Sequence, residues 1–195
     1  MQVATRQEQK AATRRRVVEA AIELFARNGI LETKTADIAK SIGMSHGVIF
    51  LHFPKRDDLV IEVIDEFARR LSAEFRNELA TEMSLRALLS AHLRVLEEFE
   101  PFYARLVAES PMLPAKFRST LLILQAHLSA RMFLALERER AEGKARPFSR
   151  PLLFNTWIGL VHHYLVNRDV FAEGTSVIAE VRDSLIDHFL SMVSA

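Results

Sequence analysis

At 195 residues and 49% apolar side chains, the chain can bury a core as one large domain or two small ones, which excludes a disordered segment. It has no cysteine, so disulfides, thiolate nucleophiles and cysteine-held metals are excluded, as suits a reducing cytoplasm. The net charge of +1 is unevenly placed: residues 1–56 carry ten basic side chains against five acids, a net of +5, leaving −4 on the rest. A basic head on a slightly acidic body suits one polyanion-facing end, although a solvated charge run near a terminus reads the same way. The opening MQVATRQEQKAATRRR has no apolar run behind it, so no signal peptide is expected. The most apolar later stretch, Leu152 to Val166, is too short to span a bilayer and carries Asn155, His162 and His163. A soluble, cytoplasmic protein with no membrane contact is expected.

The predicted elements are helices throughout. The first runs from about Ala11 to Asn28, with Val18, Ala21, Ile22, Leu24 and Phe25 on one stripe, and Asn28-Gly29 stops it. The next spans Thr35 to Ile42, with Ile38, Ala39 and Ile42 inward. Gly43 supplies a turn, because glycine tolerates a positive φ. Ser45 is placed to cap a helix from roughly His46 to Leu51 by accepting from a backbone N–H. That helix is too short to stand alone in water. Packing must hold it, as in helix-turn-helix units that present side chains to a DNA major groove.

Pro54 breaks the chain before a long helix from about Arg56 to Ala80, with Val60, Ile64, Phe67, Leu71 and Phe75 on one face. Another runs from Ser84 to about Glu100, where Pro101 kinks or restarts it. Ser110 to Pro114 is a break, and a long helix follows to about Ala141. Gly143 to Pro151 reads as a loop. The last two helices are Leu152–Arg168 and Ser176–Val193, the latter with Ile178, Val181, Leu185, Phe189 and Met192 on one face. No β-alternation, internal repeat or low-complexity tract is visible.

Several pieces stand in register over the first sixty residues. They are AIELFARNG (21–29), the spacing from Gly29 through Thr33 to Asp37-Ile38-Ala39, Gly43-Met44-Ser45, Gly47 through His52-Phe53, and Lys55 to Leu59. In this combination the chain resembles the TetR-type transcriptional regulators. The resemblance implies an all-α fold. It would comprise an N-terminal three-helix DNA-binding domain with a helix-turn-helix (residues 1–55) and a C-terminal helical bundle for effector binding and dimerisation (56–195).

The start of the second short helix offers His46, Gly47 and Val48 to base edges. Gly47 allows close backbone approach, Val48 can meet a thymine methyl, and His46 can donate to a purine acceptor. Thr35 and Ser45 are placed for phosphate oxygens near helix N-termini, and Ala36 is a marginal base contact. The resemblance also puts Phe50, Leu51, His52, Lys55 and Arg56 on or near the phosphate backbone. Phe50 and Leu51 depart from the family pattern, lacking the hydroxyl often found there, so Phe50 is expected to pack instead. His52 is balanced between phosphate contact and helix packing. Lys55, Arg56 and the arm of Arg14, Arg15 and Arg16 are expected to compensate, with two of those three arginines facing DNA rather than simply solvated.

The remainder shows no catalytic constellation. His162 and His163 are adjacent, so their rings leave a helix about 100° apart and form no i, i+4 chelate. Neither a di-iron ligand set, a phosphate-cradling glycine loop nor Gly-x-Ser-x-Gly is present, so no enzyme activity, cofactor or metal is expected. Aromatic and flexible apolar residues suit a small-molecule cavity as well as a filled core. By resemblance Phe99, Tyr103, His127 and Trp157 would line a site for a mostly hydrophobic effector.

A single small reading head binds weakly, whereas a dimer reads a palindrome through heads about 34–36 Å apart. Leu160, Val161, Ile178, Val181, Leu185 and Phe189 on the last two helices could pair with a second copy, or bury within one chain. The expected function is a homodimeric repressor released from a palindromic operator in double-stranded DNA by its effector. Two alternatives stay open: a DNA-binding adaptor whose bundle binds a protein, and a helical-bundle enzyme.

Overall fold

The computed structural model describes residues 5–78, 84–174 and 176–195; the anticipated helix end at Ala80 lies outside them. Helix α1 (Arg6–Asn28) starts five residues before the expected Ala11. A capping box causes the extension: the Thr5 hydroxyl accepts from the Glu8 N–H at 3.2 Å, and the Glu8 carboxylate accepts from the Thr5 N–H at 2.7 Å. Gly29, at φ +89°, ends the helix. Helices α2 (Thr35–Ser41) and α3 (His46–His52) follow around Gly43, whose φ is +65°.

Ser45 occupies the N-cap of α3, but its hydroxyl makes no cap hydrogen bond. The Val48 N–H goes to the Ser45 carbonyl instead, at 3.0 Å, which leaves the exposed side chain turned out.

Helix α4 (Arg56–Glu78) leads from this unit into a bundle of α5 (Leu85–Glu98), α6 (Glu100–Glu109), α7 (Ala115–Ala141), α8 (Arg150–Val166), a single turn α9 (Arg168–Phe171) and α10 (Val177–Val193). Pro101 sits in the first turn of α6 and Pro151 in that of α8, where their missing N–H costs nothing. The helix expected to end at Arg168 breaks at Asn167 instead. A 3-10 turn, Ser110–Met112, joins α6 to α7.

One hydrophobic core runs from Val17 to Val193, so packing does not break at residue 55. Phe25 of α1 meets Phe102 of α6 at 6.4 Å, and Phe67 of α4 meets Phe99 and Tyr103 at 5.4 and 5.0 Å. The carboxylate of Glu100, itself buried, accepts from the Ser176 hydroxyl (2.6 Å) and the Val177 and Ile178 N–H groups (2.9 and 3.1 Å). It thereby closes the N-terminus of α10, where an anion is favoured.

Of the two uses open to the faces of the last two helices, burial within the chain is what Val161, Ile178, Leu185 and Phe189 show, with Leu160 and Val181 half-buried. These faces are core because α10 packs on α5 and α8, and α8 on α6. Among the described residues, α7 is a helix long and apolar enough to cross a membrane, by length and composition alone. Its Phe117, Leu121, Leu124, Leu128 and Met132 are buried in a core shared with α4 and α5.

Two histidines, His92 buried and His162 half-buried, are expected to make stability pH-dependent. His92 accepts at Nδ1 from Trp157 Nε1 at 3.2 Å, and burial lowers its pKa to about 3, with the charge of a protonated His162 a smaller cause. Burial lowers His162 to about 4. Both titrate near 6.5 once unfolded, so stability is fully present above that pH and falls as the unfolded chain gains protons the fold refuses. From pH 6.5 down towards 4 the expected slope approaches two protons, about 2.7 kcal/mol per pH unit. Urea unfolding across that range measures it, and His92→Gln should remove about half the slope.

Candidate nucleic-acid interface

Helix α3 is held by one face. Ile49 and Phe53 are buried and Val48 is half-buried, while His46, Gly47, Phe50 and Leu51 form the outer surface. Phe50, expected to pack, is 49% exposed, because its ring rests edge-on against His46 at 4.7 Å and not in the core. Leu51 is 79% exposed. His46 Nε2 lies 2.9 Å from Thr35 Oγ1, so the first turns of α2 and α3 are tied through two residues expected at DNA. Ala36 and Ser45 are exposed beside them. A Cβ on Gly47 would have Ser45 Oγ, at 3.9 Å, as its nearest neighbour, so the space in front of it is open.

The cations divide differently from expectation. Arg14 donates to the His52 carbonyl at 2.9 Å, pairs with Glu62 and stacks over Phe53 at 4.2 Å, fastening α1 to α3 and α4. Arg15 lines a cleft between α1 and α4 with Glu62 and Glu66. Only Arg16 of the three reaches the turn between α2 and α3, donating to the Ile42 carbonyl at 3.4 Å. Arg56 is also structural: its guanidinium donates to the Thr33 carbonyl at 3.0 Å and to that of Ile30, stitching the α1–α2 connection to α4.

His52 is half-buried. Its Nδ1 is buried without a hydrogen-bond partner, and burial, then the charges of Lys10 and Arg14, lower its pKa. Lys55 is exposed. Lys34 and Lys40, exposed at either end of α2, are absent from the sequence expectation.

The four residues expected to line one effector site are not brought together. Phe99, Tyr103 and Trp157 are buried among rings: Phe99 and Tyr103 against Phe67, Trp157 against Phe189 at 5.2 Å. His127 is exposed on a groove of about 370 Å³ between α4 and α7. Among the described residues no three potential metal ligands come together.

This arrangement defines a helix-turn-helix head joined to an all-helical body, the architecture of a class of DNA-binding proteins. Residues 17–63 match the family described as bacterial regulatory proteins, tetR family. The match lies within the N-terminal part of the chain, and there the head is similar to the DNA-binding domain of that family.

Among relatives, the fatty acid metabolism regulator protein of Bacillus subtilis is 27% identical over 92 residues, 45% of this chain and 47% of that one. An HTH-type transcriptional repressor of Mycobacterium tuberculosis is 36% identical over 80 residues, 41% of this chain and 42% of that one. The matches thus span under half the length of these curated relatives. The structure of the transcriptional regulator FadR from Bacillus subtilis in complex with stearoyl-CoA superposes with a TM-score of 0.72 at 16% identity, covering 91% of this chain and 97% of that chain. That likeness is one of fold.

Proposed function

We propose that the chain is a DNA-binding transcriptional regulator, a homodimeric repressor released from a palindromic operator by a small, mostly apolar effector, acting in the cytoplasm. The observation that carries this reading is the outward face of α3. There Gly47 opens onto free space, and Thr35, Ser45 and His46 offer polar groups around it. Backbone approach at Gly47 and donors on its flanks suit a major groove. The family match of the head and the naming of relatives as regulators and a repressor support it.

Residues 1–55 would read DNA and 56–195 would receive the signal and dimerise. Because the inner faces of α8 and α10 are core, the dimer would use their outer faces, where Gly159 and Ala179 are exposed and small. The effector releases DNA only if it prefers a dimer whose heads are wrongly spaced, since equal affinity for both states shifts nothing.

The phosphate grip falls to Lys55, Arg16, Thr35 and Ser45. Lys55→Ala should weaken binding to every duplex alike and reduce the slope of log K against log salt by about 0.9 for each phosphate it no longer neutralises. Arg56→Ala should instead destabilise the head, because it removes bonds to Ile30 and Thr33. Fluorescence anisotropy at several salt concentrations tests this. An unchanged slope in Lys55→Ala moves the grip elsewhere, and salt-insensitive binding of the parent chain overturns the reading.

A protein-binding adaptor is the second reading, favoured by the exposed Leu122, Ile123 and Leu134 along α7. A small molecule that lowers DNA affinity of the purified chain would decide against it.

A further inference from the structure

The Ser110–Met112 turn lies between the DNA-facing head and a groove in the body. On its head side, Glu109 closes α6 and accepts from the Leu31 N–H at 2.8 Å. The same carboxylate occupies the space that a Cβ on Gly29 would need. Glu109 therefore holds the connection between α1 and α2 from a helix of the body. On the other side, Val107 and Pro111 flank a groove of about 310 Å³, completed by Leu122, Arg118 and Gln125 of α7 and His162 of α8.

The chemistry of this groove is one-sided. Gln125 stands beside the buried Tyr103 hydroxyl, which lies 3.2 Å from His162 Nε2. Burial raises the Tyr103 pKa and holds His162 neutral, so the phenol keeps its proton and can donate to Nε2. The floor is then an uncharged polar chain. Arg118 is exposed at the rim, with no carboxylate partner among the described residues, and no acid lines the groove. An apolar wall, an uncharged floor and one unpaired guanidinium favour an apolar body bearing an anionic head.

We propose that this groove binds a small amphiphile through its acidic head at Arg118, and that occupancy reaches the DNA-binding head through Glu109. A ligand pressed against Pro111 displaces the turn that follows Glu109 and draws the carboxylate away from Leu31. The α1–α2 connection, and with it the placement of α2 and α3, is then freed. The relay rests on the reading of the chain as an effector-released regulator; the binding site does not.

Calorimetric titration of the full chain with decanoate, and with decyltrimethylammonium as the cationic counterpart, tests the site. Decanoate should bind saturably and at least tenfold tighter than the cation. Arg118→Glu, on an exposed side chain, should keep the melting temperature and lose at least tenfold in decanoate affinity. Equal affinities, no saturable binding or an unaffected Arg118→Glu variant overturns the site.

For the relay, decanoate should lower DNA affinity of the parent chain at least fivefold. Glu109→Ala should bind decanoate normally and lose that response, whereas Glu109→Gln, which keeps an acceptor, should retain part of it. The Leu31 amide resonance of the parent chain should also shift on adding decanoate, a readout independent of any variant's folding. An unmoved Leu31 amide, or a full response in Glu109→Ala, overturns the relay. Failure of the ligand-free chain to bind DNA sinks the regulator reading alone, because the titrations still decide the site.

Discussion

Gly47→Asp should leave the fold intact and cost at least about 100-fold in DNA affinity, roughly 3 kcal/mol. The fold tolerates the side chain because a Cβ there meets nothing closer than Ser45 Oγ at 3.9 Å. A carboxylate in the first turn of α3 is even favoured by the helix dipole. Against DNA the same group stands where the backbone should approach the base edges, adding bulk and a charge repelled by phosphates. Gly47→Ala, which adds bulk alone, should lose less. Thermal melting and anisotropy on the same samples separate stability from binding. Equal affinities of parent and aspartate variant would take α3 out of the groove.

The second large effect is on stability. Glu100→Ala should lower it by about 3 kcal/mol, because the Val177 and Ile178 N–H groups lose their acceptor in a buried setting. In a chain of this size that corresponds to a melting temperature roughly 6–12 °C lower. Glu100→Gln keeps one acceptor oxygen and should cost about half as much. Denaturant unfolding measures both. A change under about 1 kcal/mol for alanine would mean that desolvating the carboxylate cancels its hydrogen bonds in the parent chain.

Helix punctuation was legible because it is local chemistry. Gly29 and Gly43 take positive φ and Pro101 restarts a helix, whereas Pro151, placed in the loop by the sequence reading, lies in the first turn of α8. The face of α4 also followed from spacing, since Val60, Ile64, Phe67, Leu71 and Phe75 are all buried. The roles of charged residues were not legible, because their partners are distant in sequence. Arg56 bonds a carbonyl 23 residues away, and Glu109 an amide 78 away. In sequence, Arg14 and Arg56 read as cations for DNA, and nothing near Glu100 or Glu109 marks their partners. Aromatic periodicity likewise cannot separate pocket from core: Phe99 and Tyr103 both pack against Phe67 of α4, whereas Trp157 packs against Phe189 of α10.

Selection of duplexes by the purified chain from a random-sequence pool tests DNA recognition most directly. The expected product is one inverted repeat, with half-site centres one turn of DNA apart, about 10–10.5 base pairs, or a multiple of it. It should be held at least about 10³-fold more tightly than a scrambled duplex, and less tightly as salt rises. A pool that emerges without an enriched inverted repeat, or a selected duplex bound no better than its scramble, would contradict the account.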